Sequence, residues 1–161
     1  MEYKVRTARP EDVIHVLHLL KELAEYEKAP QEVTLTVEKL SEDAFGDNKI
    51  VSIELAEDEN QVIVGIAMYY YAYSTWKGRC LFLEDLVVKE SLRGQGIGKL
   101  LFNRMIEISY QTGAQRMMWQ VLNWNRPAID FYKKYDAQIS DEWLNGRFNR
   151  EQIESLYTGK E

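Results

Sequence analysis

Seven consecutive residues, Arg93-Gly94-Gln95-Gly96-Ile97-Gly98-Lys99, put three glycines between two segments of different periodicity. Before them, Cys80 to Val88 is an apolar run that reads as a strand. After them, Ile97, Leu101, Met105 and Ile108 recur at helical spacing until Gly113. A glycine-rich turn joining a strand to a helix restricts the chain to folds that mix the two. It also leaves two uses for the turn. Its successive N–H groups and the positive helix end can cradle a phosphate, or the glycines can simply supply the positive φ of an ordinary turn.

The two commonest phosphate loops do not fit. A Walker A loop requires Gly where Arg93 stands and Ser or Thr where Leu100 stands. The dinucleotide fingerprint puts its third glycine on Lys99 when started at Gly94, or on Leu101 when started at Gly96. What remains is R-x-x-G-x-G, preceded by Glu84-Asp85-Leu86-Val87-Val88.

The rest of the chain sorts by the same rules. Glu2 to Ala8 reads as an opening strand, and Pro10-Glu11-Asp12 as a helix start ahead of Val13, Val16, Leu17, Leu20, Leu23 and Ala24. Pro30 stops that helix, and Thr36 caps a shorter one reaching Phe45. Period-two runs follow at Val51 to Leu55 and Val62 to Tyr73 across a charged turn, which predicts a hairpin. Arg116 to Leu122 predicts another strand, and Pro127 opens a helix carrying Ala128, Ile129, Tyr132 and Tyr135. A weak strand is expected between Gln138 and Phe148, before a helical Arg150 to Tyr157. The order β-α-α-β-β-β-α-β-α-β makes one mixed α/β domain over 1–161.

With 161 residues and a formal charge of −6, the chain does not suit sequence-independent nucleic-acid binding and suits a cationic partner. Cys80 is the single cysteine, so no intrachain disulfide or thiolate metal cluster can form, and a reducing cytoplasm is expected. The N-terminus lacks an apolar leader and no run of eighteen apolar residues occurs, so neither secretion nor membrane insertion is expected. His15 and His18 have no nearby ligand set, and no metal is expected. Cys80, inside an apolar strand, is expected to be inert.

The R-x-x-G-x-G turn, the preceding Phe82 to Val88 and the later Asn125-x-x-Ala128-x-x-Phe131-Tyr132 together resemble the GNAT superfamily of acetyl-CoA-dependent N-acetyltransferases, over nearly the whole chain. Lys21 to Glu27, Gly65 to Tyr71 and Trp124-Asn125 are most similar to its diamine acetyltransferases. The resemblance implies the GNAT acyl-CoA N-acyltransferase fold, acetyl-CoA as cosubstrate, a small-molecule amine as acceptor and a homodimer. It implies a donor site at Leu86, Val87, Val88, Arg93, Gly94, Gln95, Gly96, Ile97, Gly98, Lys99 and Asn125. It implies an acceptor pocket of Tyr26, Glu27, Ser74, Trp76 and Glu84.

An alkylamine with a pKa of about 10.4 is protonated at neutral pH and must lose a proton before it attacks. Glu84, at the strand position used by this family, would take that proton through a water, and Tyr132 would return one to the leaving thiolate. A free N–H where the strand splays from its neighbour, at Val87 and Val88, would meet the developing oxyanion. The sequence departs from the polyamine branch at Ser74-Thr75, where that branch carries Asp-Pro and the thialysine branch Ser-Thr. It departs again at Asp136, where Gly is common and where Asp can accept a left-handed helix stop. Acetylation of proteins or peptides, and a CoA-binding module without turnover, are the alternatives to small-amine acetylation.

Overall fold

The computed structural model describes residues 2–159, so residues 1, 160 and 161 of the expected 1–161 domain lie outside the described residues. The chain divides into two compact units, one up to Gln120 and one from Val121 onward.

The first unit is a five-stranded sheet in sequence order, β1 (Lys4–Thr7), β2 (Ser52–Glu57), β3 (Ile63–Ser74), β4 (Gly78–Val88) and β5 (Met117–Trp119). Neighbours are antiparallel except β4 and β5, which run parallel across the crossover helix α3 (Ile97–Gln111). Helices α1 (Val13–Tyr26) and α2 (Val37–Phe45) lie between β1 and β2 in sequence. Thr36 accepts the Lys39 N–H at 3.2 Å and caps α2 as expected.

Helices cover both faces of the sheet, which is why β2 is buried at almost every position rather than at alternate ones. On one face Ile53, Leu55, Ile66, Met68 and Val87 form a core with Val13, Val16, Leu17, Leu40 and Ala44 of α1 and α2. On the other, α3 lies against Gly65, with Leu101 and Met105 fully buried and Phe102 set edge-on to Trp119 at 5.4 Å.

Buried charges tie the layers together. Glu54 accepts from Thr7 Oγ1 at 2.9 Å and from Arg104 of α3 at 3.0 Å. Arg6 donates to Glu57 at 2.8 Å and to both oxygens of Asp12 at 2.7 and 3.0 Å. Each buried carboxylate therefore has a cationic partner, without which its burial would cost several kcal/mol, of order 3–5.

The second unit contains α4 (Arg126–Lys133) and α5 (Arg150–Thr158). Asn125 is the N-cap of α4 and its side chain accepts the Ala128 N–H at 3.3 Å, which gives the Asn-x-x-Ala spacing a local structural reason. Asp136 adopts φ 56°, the left-handed stop expected of it. The final strand expected between Gln138 and Phe148 is not formed among the described residues. Trp143-Leu144 and Asp141-Glu142 come as like pairs, so no face of that segment is consistently apolar, and its residues are exposed.

Gly65 is where α3 comes closest to the sheet. A Cβ there would lie 2.9 Å from the Val87 carbonyl oxygen and 3.1 and 3.2 Å from Leu101 and Ile97. Because the nearest atom is backbone, Gly65→Ala is expected to destabilise the protein by about 1–3 kcal/mol, measurable by urea denaturation.

Candidate functional site

The pairing of β4 is unequal on its two edges. Along β3 it is partnered from Gly78 to Val88, whereas β5 pairs with it only at Leu81, Phe82 and Leu83. From Glu84 onward the strand therefore leaves β5. Lys89 N–H donates to Val64 O at 2.9 Å, so the exchanged hydrogen bonds with β3 fall on alternate residues counted back from Lys89. By that alternation Val87 turns its N–H to β3, while Leu86 and Val88 turn theirs to the open side. The Val87 side chain is buried in the core.

A β-bulge sits at the same place. Met68 pairs with Asp85 and Tyr69 with Leu83, so Glu84 is the extra residue. Paired residues share a face. Counting by twos from Phe82, the partner of Tyr70, reaches Glu84; counting back from Val87, the partner of Ile66, reaches Asp85. The bulge thus turns two consecutive carboxylates to one face, the face of Met68 and Ile66.

The electrostatics follow from that crowding. Burial, with the charges of Glu84 and Glu27, pushes the Asp85 carboxyl up to about 6. Burial also raises Glu27. Tyr70 is raised by burial, by the Glu84 charge and by the hydrogen bond its hydroxyl donates to Glu84. The Tyr70 ring stacks on Phe82 at 5.2 Å. Glu27 is held beyond the end of α1 by a left-handed Lys28 (φ 60°) and an Ala29 N–H to Ala24 O bond of 2.8 Å. Three carboxylates within electrostatic reach and one aromatic pair suit an alkylammonium group.

At the far end of β4 the glycine turn leads into α3. Gly94 and Gly96 have φ of 80° and 86°, and no atom lies within 4 Å of where a Cβ would sit on either. Gly96 is the N-cap residue, and no side chain caps that helix end. The first N–H groups of α3 thus have no side-chain cap, with Lys99 in the first turn, a fit for an anionic group such as a diphosphate. Gly98 has neither positive φ nor a close neighbour, since a Cβ would meet Val88 at an ordinary 3.7 Å. Ile97 is buried and anchors the turn. Gln95 accepts a hydrogen bond from Tyr3 Oη at 2.8 Å. Arg93 lies over the Tyr26 ring, 4.5 Å from its centroid, and donates from Nε to Val88 O at 3.3 Å.

Other expected site residues lie elsewhere. Ser74 and Trp76 are at the tip of the β3–β4 hairpin, where Ser74 Oγ accepts the Trp76 and Lys77 N–H groups at 3.2 Å each and Trp76 is 85% exposed. Five residues of strand separate Ser74 from the Tyr69 level, about 17 Å, so this chain does not bring them beside Glu84. Asn125 and Tyr132 belong to the second unit; Tyr132 is buried, its ring 5.3 Å from that of Phe131. Asp85 was absent from the expected pocket. Its signal was the adjacent Glu84-Asp85 pair inside an apolar run, a break in alternation. Among the described residues, no group of three or more His, Cys, Asp or Glu is placed to hold a metal ion. None of the described helices is long and apolar enough to cross a membrane.

A splayed strand beside a glycine turn at a helix start is the arrangement that known proteins then identify. The model of the Acetyltransferase (GNAT) family matches residues 15–136. A thialysine N-epsilon-acetyltransferase from Bos taurus is 37% identical over 162 residues, covering 94% of this chain and 95% of its own. A Caenorhabditis elegans protein of the same name is 34% identical, covering 91% and 92%. A human spermidine/spermine N(1)-acetyltransferase-like protein 1 is 34% identical over 94% of this chain but 23% of its own length. Among solved structures, an integron cassette protein from the mobile metagenome of V. cholerae shares the fold at a TM-score of 0.79 and 22% identity, covering 98% of each chain. The chain belongs to the GNAT acetyltransferase family. It is an N-acetyltransferase, as its named relatives are.

Two substitutions test the geometry. Gly96→Val places a β-branched residue at φ 86° and is expected to weaken acetyl-CoA binding tenfold or more by calorimetry, while Gly98→Ala leaves it within about twofold. Asp85 has a folded pKa above its unfolded one, so its protonated form is favoured by folding and its contribution to stability is lost as pH rises from about 4 through about 6. Asp85→Asn is therefore expected to stabilise the protein by about 3 kcal/mol at pH 8 and by under about 1 kcal/mol at pH 4, read from urea midpoints.

Proposed function

We propose that the protein transfers acetyl from acetyl-CoA to the primary amine of a small cationic acceptor of the thialysine or lysine-like class. The observation that carries this reading is the bulge that turns Glu84 and Asp85 to one face within electrostatic reach of Glu27. Similarity to thialysine acetyltransferases over nearly the full length supports the acceptor class. Ser74-Thr75 in place of the Asp-Pro pair of the polyamine branch supports the thialysine-like class by resemblance alone, since Ser74 stands about 17 Å from the carboxylates of its own chain.

In this reading Glu84 takes the ammonium proton through a water, and the freed amine attacks the thioester carbonyl. The N–H groups of Leu86 and Val88 on the open side of β4 are the available oxyanion donors. The C–S bond breaks, and Tyr132 gives the departing thiolate its proton. Leu86, Val87 and Val88 line the donor's path, the turn from Arg93 to Lys99 takes its diphosphate, and Asn125, which caps α4, is assigned to the donor by resemblance. A single domain over 1–161, a homodimer and a cytoplasmic location belong to the same proposal.

The test is CoA release by purified protein over a panel of thialysine, lysine, spermidine, aminoglycosides and lysine peptides. Thialysine is expected to exceed spermidine in kcat/KM by about tenfold, the value of one charge-assisted contact. Tyr132→Phe is expected to lower kcat about 100-fold with acetyl-CoA affinity nearly kept. Turnover with peptides alone would move the acceptor to protein, and CoA binding without turnover on any amine would leave a binding module.

A further inference from the structure

Tyr26 and Glu27 are adjacent at the end of α1, yet they face different partners. Glu27 adds its charge to the carboxylates of β4. The Tyr26 ring lies under the guanidinium of Arg93, the residue that opens the glycine turn. Arg93 is exposed, and an exposed arginine carries large rotamer freedom that must be given up before it can serve a fixed position. Here two contacts remove that freedom. The Nε–H is spent on the Val88 carbonyl at 3.3 Å, and the guanidinium carbon lies over the tyrosine ring, 4.5 Å from its centroid. The guanidinium carries further N–H donors besides Nε.

We propose that Tyr26 is a positioning residue for the acetyl donor: it holds Arg93 over the open end of β4, so that the end of α1 serves donor and acceptor together. The role rests on the acetyl-CoA reading above, and it differs from a wall of the amine pocket, which Tyr26 would be if it touched the acceptor alone. Ring and hydroxyl make different demands. A cation over a ring needs the π face and not the phenol, so Phe replaces Tyr, whereas an acceptor-pocket hydroxyl tolerates no such exchange.

The experiment measures CoA binding by calorimetry and steady-state constants with thialysine for the wild type, Tyr26→Leu, Tyr26→Phe, Arg93→Gln and the Tyr26→Leu/Arg93→Gln pair, with thermal melts to show that each folds. Tyr26→Leu is expected to weaken CoA binding and raise the acetyl-CoA KM about fivefold, about 1 kcal/mol, with kcat kept within twofold. Tyr26→Phe is expected to keep CoA affinity within about twofold of the wild type. In the Arg93→Gln background Tyr26→Leu is expected to add nothing, which a general loss of structure would not reproduce. Unchanged CoA affinity in Tyr26→Leu, or a rise confined to the thialysine KM, overturns the proposal. If the wild type binds no CoA, the donor reading itself is wrong and this role falls with it, an outcome distinct from wild-type binding that ignores Tyr26.

Discussion

A strand with a partner along all of one edge and along only three residues of the other has to leave its neighbour somewhere, and β4 does so at Leu83. Everything at the site follows from that departure. Past Leu83 the backbone groups facing β5 have no ladder to join, which leaves N–H donors open at alternate residues. The bulge falls on the next residue, Glu84, and increases the local twist that carries the strand away. The parallel partner is joined through α3, so the crossover begins where the strand ends and its N-terminus arrives beside the opened edge. Gly65 permits that approach, because only a residue without Cβ fits between the Val87 carbonyl and the first turns of α3.

The layered fold was readable in advance because its signals are local. Pro10, Pro30, Thr36, Gly113 and Pro127 punctuate elements that begin or end within a few residues of where they were expected. The turn was equally plain, with Gly94 and Gly96 at positive φ, whereas Gly98, read in the sequence with the other two, has no positive φ. Non-local features did not announce themselves. The Asp85 orientation depends on a register shift against β3, which no property of residues 80–88 alone specifies. The same shift decides that Leu86 and Val88, rather than Val87, carry the open N–H groups. Ser74 and Trp76 read as pocket residues by resemblance, but a hairpin of this length carries them about 17 Å from the carboxylates of their own chain. The absent strand before α5 shows the opposite error, a weak alternation read as an element where like residues come in pairs.

The two sets of acids in this chain are handled by opposite means. Glu54, Glu57 and Asp12 are more buried than Asp85, and each has an arginine in hydrogen-bonding contact, so the charge is compensated within the fold. The Arg6 contact holds Asp12 well below the ordinary carboxylate range. Asp85 is shifted the other way, by burial and by two further acids. The contrast separates carboxylates that assemble the layers from those that have been left for something else.

Carboxylates crowded in this way are costly to the folded protein and favourable to a cation. Burial and the charges of Glu84 and Glu27 push the Asp85 carboxyl up to about 6, and a positive charge placed beside it opposes that shift. Such a cation therefore binds with release of a proton where Asp85 is still partly protonated, near pH 6. Repulsion that is unrelieved among these carboxylates would turn into attraction for a bound cation, so the stability given up at this bulge is available as affinity for a positively charged group.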